Sequence, residues 1–295
     1  MLFYNKNMIS AIILTWNSAN YIEKCLRSLI KDAKENRIDI EIFVVDGGSN
    51  DGTLEILNRF RKEVERFNLI KLEKNLGTTK SRNLAIKESQ GEYLLILDSD
   101  TEILPGALRR LFETLKEKTK AGIVSPRLIY PDGSVQISCK RFPTLLQKLC
   151  KATPFNKLKR LGEKLEQFPN KVYDKNFRDI LHVDYCISAC WLVRQTAREK
   201  IGDLDEKIFY APEDVDYCLR MWLGGWEVLY VPTAEVIHYA QRRSYRDIPM
   251  ALIHFKGLLY FFGKNSYALD RRRIYRLILE KSKKTEINCP FGIKI

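Results

Sequence analysis

Between residues 8 and 98, short β-branched runs alternate with amphipathic helical runs, and few folds accommodate that order. Residues 9–15 read as a strand and 20–31 as a helix with Ile22, Leu26, Leu29 and Ile30 on one face. The pattern then repeats: strand 40–45, helix 51–67, strand 69–72, helix 78–88 and strand 93–97. Strands separated by helices at this spacing form βαβ units, which predicts an α/β fold with a mainly parallel sheet and ligands at the carboxyl ends of its strands.

Three polar clusters fall at those ends: Thr15-Trp16-Asn17, Asp46-Gly47-Gly48-Ser49-Asn50-Asp51-Gly52-Thr53, and Asp98-Ser99-Asp100. The last puts two carboxylates at the mouth of a buried strand, where a divalent cation and a diphosphate would meet. Magnesium and manganese take oxygen ligands and hold nucleotide phosphates through only one or two protein carboxylates. Asp46 has two readings, as a cap on its own turn or as an acceptor for the imide N–H of a uracil or thymine. Asn75-Leu76-Gly77 followed by Arg82 and Asn83 gives a turn and then a cation inside a helix, a pattern that can bring backbone N–H groups and a guanidinium to a diphosphate. Glu213, Asp214 and Asp216 open a helix, where the dipole favours acidic residues in any case. A carboxylate there can also take a proton from an attacking hydroxyl. His238 ends a strand and reads either as a structural imidazole or as a further metal ligand.

The second half is less regular. Residues 105–118 read as a helix, 123–130 and 135–138 as strands around a Pro131-Asp132-Gly133 turn, 145–149 and 158–168 as helical stretches, and 183–193 as an apolar run. Residues 212–223 read as a helix, 227–231 and 235–239 as two strands, and 248–262 and 269–279 as amphipathic helices. We expect a catalytic domain over 1–240, with a nucleotide half (1–122) and an acceptor half (123–240), followed by a basic helical region over 241–295.

Charge divides along the same lines. Residues 140–178 hold 11 Lys/Arg against 3 Asp/Glu, and 242–284 hold 12 against 3, in a chain of formal charge +13. Such blocks predict a basic face suited to anionic lipid, a phosphorylated acceptor or nucleic acid, or else a plain solvated surface. The Pro-punctuated block 140–178 reads as an insertion or a lid. None of the seven cysteines forms a Cys-x-x-Cys, so reduced thiols in a cytoplasmic setting are expected. No run reaches the ~18 apolar residues of a membrane span.

These motifs, in this order over about residues 9–265, resemble the family 2 glycosyltransferases, in particular the branch with rhamnosyltransferases and other polysaccharide-building enzymes. The resemblance extends to Gly202-Asp203-Leu204-Asp205-Glu206, Glu213-Asp214-Val215-Asp216-Tyr217-Cys218-Leu219-Arg220, Gly225-Trp226-Glu227-Val228 and His238. It implies a GT-A fold, with a Rossmann-like nucleotide half and a mixed sheet, and inverting transfer from a UDP-sugar or dTDP-rhamnose to a glycan or lipid-linked acceptor. By that likeness Thr15, Asn17 and Asp46 contact the nucleoside. Asn75, Gly77, Arg82, Asp98 and Ser99 line the donor, while Asp98, Asp100 and His238 hold manganese or magnesium. Asp214, or its neighbour Glu213, is the base. Ser188 stands where the family commonly has Gly. The basic blocks would then dock on the anionic inner leaflet, making the enzyme peripheral to the membrane.

Two other classes compete. A synthase acting on polyprenyl phosphate usually lacks the late Gly-Trp and His238 arrangement. A nucleic-acid-binding protein is supported only by a pI of about 9.3, and the acidic cluster 203–216 would repel phosphate backbones, so no nucleic-acid partner is expected.

Overall fold

The computed structural model describes residues 4–240, 248–285 and 288. Its first half is β1 (Asn5–Thr15), α1 (Ile22–Glu35), β2 (Ile40–Asp46), α2 (Thr53–Glu63), β3 (Phe67–Lys71), α3 (Thr78–Glu88) and β4 (Gly91–Asp98). There follow β5 (Thr101–Ile103), α4 (Ala107–Glu117), β6 (Ala121–Ile129), β7 (Cys139–Lys140), α5 (Leu145–Ala152), α6 (Asn156–Glu166) and a 3-10 turn at Asn170–Tyr173. The remainder is β8 (Leu181–His182), β9 (Tyr185–Cys186), β10 (Cys190–Arg194), α7 (Gln195–Ile201), α8 (Glu213–Leu223), β11 (Glu227–His238), α9 (Ile248–Asn265) and α10 (Arg272–Thr285).

The main sheet runs β3-β2-β1-β4-β10-β6-β11-β5, with β8 paired to β11. Strands β1 to β4 are mutually parallel, whereas β10 is antiparallel to both β4 and β6, so the sheet is mixed. Alternating side chains of each strand feed two cores. Ile9, Ala11 and Ile13 of β1 face α1, α2 and α4, while Ile12 joins Ala85 and Ile86 of α3 and the residues of α8 on the other face. Phe261, Phe262, Tyr267, Ile274 and Ile278 belong to that second core, so the C-terminal helices pack on the same side as α8.

Several elements differ from expectation. Helix α2 stops at Glu63 because Val64 turns extended, and Phe67 instead starts β3 opposite Ile42. Residues 135–138 make one bridge, Val135 to Ile129, rather than a strand, since the chain peels away to offer the Ser138 carbonyl to the Ile187 N–H. The expected strands 227–231 and 235–239 are one strand, β11, with a register shift between Val231 and Glu235. The apolar run 183–193 is broken into β9 and β10 around Ile187–Ser188–Ala189.

The basic segment 140–178 is an anchored hairpin of α5 and α6. Thr144 and Gln147 form a capping box at the start of α5. The Leu145 N–H bonds the Ala268 carbonyl at 2.6 Å, and Arg271 Nη2 bonds the Leu165 carbonyl at 2.6 Å. Lys140 of β7 lies opposite Tyr185 of β9 in a separate two-stranded sheet.

Candidate active site

Register brings the polar strand ends together. Thr15 sits opposite Asp46 and Leu14 opposite Asp98, while His238 of β11 sits opposite Thr101. The Tyr239 N–H donates to the Asp100 carbonyl at 2.9 Å, closing this corner of the sheet.

Asp98, Asp100 and His238 each offer a ligand atom within 4.8 Å of one another. His238 Nε2 lies 3.6 Å from Asp100 Oδ1, and its Nδ1 lies 2.7 Å from Gln136 Oε1. With the amide oriented this way, Nδ1 carries the proton and donates to Gln136, leaving the Nε2 lone pair turned toward the carboxylates. Two carboxylates and one neutral imidazole suit a divalent cation such as manganese or magnesium. The residues present fit the group.

Arg82 is 1% exposed and joins both halves of the site. Its Nη2 donates to Asp98 Oδ1 at 2.6 Å and to the Ser188 carbonyl at 3.2 Å. Its Nη1 donates to Ser188 Oγ at 3.0 Å and lies 3.5 Å from Glu213 Oε1. The Ser188 hydroxyl in turn donates to Glu213 at 2.8 Å, so Ser188 relays between cation and carboxylate.

Glu213 and Asp214 open α8. Burial, and next the charge of Asp214, push the Glu213 carboxyl up, against the pull of Arg82 and Ser188. Asp214 is half-buried, and burial raises its carboxyl too, against the pull of the Val215 N–H, Lys140 and Lys148. Its Oδ1 accepts from the Val215 N–H at 2.8 Å. Tyr210 lies three residues ahead of Glu213. Burial raises its phenol, and the charges of Glu213, Asp98, Asp214 and Asp100 raise it further.

The remaining predicted residues are held by the protein's own loops. The Asp46 carboxylate accepts from the Gly48 and Ser49 N–H groups at 3.1 and 2.9 Å and from Ser49 Oγ at 2.5 Å, so it does cap its own turn. Asn17, at φ 51°, ties the same loop through its N–H to Ser49 Oγ and through its Oδ1 to the Asn50 N–H. Thr15 Oγ1 is buried and has no partner among the described residues. Ser99 Oγ bonds Ser18 Oγ at 3.0 Å.

The turn at Asn75 and Gly77 differs from the expected diphosphate cradle. The Gly77 N–H bonds Asn75 Oδ1 and the Thr78 N–H bonds the Phe209 carbonyl, so these donors are spent internally. A Cβ on Gly77, at φ 87°, would lie 2.4 Å from that carbonyl, which explains the glycine. Asn83 similarly fastens Leu204 and Glu206.

Helix α9 crosses the entry to α8 so closely that a Cβ on Gly257 would lie 2.1 Å from the Ala211 carbonyl oxygen. Lys264 of α9 is 2.7 Å from both Asp205 and Asp216.

Residues 10–202 match the glycosyl transferase family 2. The chain belongs to this family. Among its relatives is the N-acetylglucosaminyl-diphospho-decaprenol L-rhamnosyltransferase of Mycobacterium tuberculosis, 26% identical over 263 residues that span 82% of this chain and 79% of that one. Among solved structures, a mannosyltransferase of Pyrobaculum calidifontis in complex with GDP-Man and Mn2+ superposes with a TM-score of 0.62 at 16% identity, covering 95% of this chain and 70% of that one. S. aureus TarS 1-349 in complex with UDP gives 0.55 at 19% identity, covering 92% and 70%. This family 2 glycosyltransferase therefore has the GT-A fold that its sequence resemblance implied.

Proposed function

We propose that this glycosyltransferase moves a sugar from a nucleotide-diphosphate donor, a UDP-sugar or dTDP-rhamnose, to a hydroxyl of a glycan or lipid-linked saccharide, with inversion at the anomeric carbon. The observation that carries the reading is the buried Arg82, which bonds Asp98 of the Asp98, Asp100 and His238 cluster and lies 3.5 Å from Glu213, the neighbour of Asp214. Asp98, Asp100 and His238 hold manganese or magnesium, which when bound neutralises charge on the departing diphosphate. Thr15, Asn17 and Asp46 form the nucleoside end. The unpartnered Thr15 hydroxyl supports this, and the remaining lone pair on Asp46 Oδ1, which among the described residues accepts only from Ser49 Oγ, suits an imide N–H.

Asp214 serves as the base. Glu213 is already engaged by Ser188 and Arg82, whereas the bond Asp214 accepts comes from its own helix turn. Burial raises the proton affinity of Asp214, which favours removal of the acceptor proton during attack. Arg82 holds Asp98 and Glu213 in register, so the donor and acceptor sides stay aligned.

The relative's name joins L-rhamnosyl transfer to a diphospho-decaprenol saccharide, which supports a lipid-linked acceptor here and work at the inner face of the membrane. No described helix is long and apolar enough to cross a membrane. Exposed Phe155 at the start of α6, with Leu252, Phe255 and Leu259 on α9, would rest on an anionic leaflet.

A thermal-shift panel of UDP-, dTDP- and GDP-sugars with and without manganese tests the donor, because a ligand that binds only the native state raises the melting temperature. We expect a manganese-dependent rise with one uridine or thymidine sugar. A flat response to every nucleotide rejects the reading. Incubating that donor with a lipid-linked saccharide and, separately, with polyprenyl phosphate then distinguishes the two acceptor classes.

A further inference from the structure

Glu166, at the end of α6, is 2% exposed and is approached by three lysines. Lys151 Nζ lies 2.5 Å from its carboxylate, Lys148 Nζ 3.4 Å and Lys140 Nζ 4.0 Å. The Tyr185 hydroxyl donates to the same carboxylate at 3.4 Å. Among the described residues three ammonium groups thus face this one carboxylate, on side chains that are each about a quarter exposed, and burial, with the neighbouring Lys140 and Lys151 charges, pushes the Lys148 ammonium down against the pull of Glu166.

The cluster connects to the start of α8. Lys140 pairs in register with Tyr185, and Ser188, three residues further on, bonds Glu213 next to Asp214. Lys140 and Lys148 are close enough to draw the Asp214 carboxyl down. From α9, burial and then the same two lysines hold His254 neutral, down at about 4. The cluster is also rigidly built. A Cβ on Gly162 would lie 2.8 Å from Lys151 Cγ and 2.9 Å from the Gln147 carbonyl, so only glycine lets α6 bring Glu166 against the lysines of α5. On the adjacent face of α5, Leu146 and Leu149 are 54% and 57% exposed. Helix α5 thus presents two ammonium groups alongside two leucines, a match for an amphiphile with an anionic head and a hydrocarbon tail.

We infer that Lys140, Lys148 and Lys151 form a subsite for the phosphate groups of the acceptor, with its hydrocarbon tail lying along Leu146 and Leu149. The inference rests on the proposed transfer to a lipid-linked acceptor and assigns its diphosphate to the α5–α6 hairpin. The head group is fixed next to Asp214 by charge, and the saccharide beyond it is thereby offered to the base.

Isothermal titration of the full chain with decyl diphosphate tests this, run in EDTA and without nucleotide so that the metal site does not retain the phosphate. The neutral comparison is decyl maltoside, which has the same tail. We expect the diphosphate to bind at least tenfold more tightly than the maltoside, and the Lys140→Gln/Lys148→Gln double variant, which keeps Lys151 for Glu166, to lose at least tenfold for the diphosphate alone. Lys148→Arg should retain binding. If the double variant fails to unfold cooperatively, the single Lys140→Gln change is read instead, with a loss of at least threefold expected. Equal binding of the two amphiphiles to the native chain, or undiminished diphosphate binding by the variant, overturns the subsite. So does a variant that loses only its binding to phosphatidylglycerol vesicles, because the lysines would then read a membrane surface. Since no sugar nucleotide is present, a failure here leaves the manganese-dependent nucleotide response untouched, and the two readings fail separately.

Discussion

Arg82 Nη2 stands 2.6 Å from Asp98 Oδ1, and the same buried guanidinium lies 3.5 Å from Glu213 Oε1, so one side chain spans from the end of β4 to the start of α8. Removing one partner of a buried charge group leaves the others unpaired in low dielectric, at a cost of roughly 3–5 kcal/mol. Arg82→Met should destabilise the chain by about that amount in urea unfolding. Arg82→Lys should recover only part of it, because an ammonium cannot reproduce the forked contacts to Asp98 and Ser188.

Asp214→Asn should preserve manganese-dependent donor binding and lower transfer by about 10²–10⁴-fold, the range expected for loss of a general base. Initial rates at saturating donor measure it. Near-normal turnover would move the role of base to Glu213.

Asp100→Ala should abolish the manganese-dependent part of the thermal shift. Gln136→Leu should weaken manganese affinity by about 10–100-fold while leaving every ligand atom in place, since the amide only fixes the His238 tautomer. Titration of manganese against the nucleotide-induced shift reads both. Chelator-insensitive binding by the Asp100 variant would exclude the metal assignment.

Lysine neighbours hold Glu166 well below the usual carboxylate range despite its burial. A depressed carboxyl contributes stability that is fully present above its unfolded value near 4.5 and is lost as pH falls from there toward the folded value. At neutral pH, Glu166→Gln should therefore cost about 2–3 kcal/mol, less than a fully buried pair because the lysines are partly exposed. The gap between native and variant should close as pH drops below about 4.5, as followed by urea unfolding at several pH values. A gap that does not vary with pH would mean that packing, and not charge, holds the hairpin.

The first half of the fold was legible because β1, β2 and β4 are buried on both faces and α1 carries a clean apolar stripe, so periodicity marks them. The three-residue β5 and the seven-residue α7 are too short for such a signal. In the site, Asp98, Asp100 and His238 announced themselves through strand ends, and the structure brings them together. Asp46 and Gly77 were legible as special positions, but the Asp46 carboxylate turns inward to the Ser49 loop and the Gly77 N–H to Asn75. Gln136 and Ser188 acquire meaning only from partners far away in sequence, and no local pattern encodes that. The distance from Gln136 to His238 is 102 positions.

The absence of a side chain at Gly257 lets the tail rest directly on the backbone just ahead of Glu213 and Asp214. Even one methyl group there would act as a wedge, prising α9 away or tilting the peptide that aims both acids. Tail and reaction centre are thus one mechanical unit, and any redesign of the C-terminal helices for solubility or anchoring is also a redesign of the base.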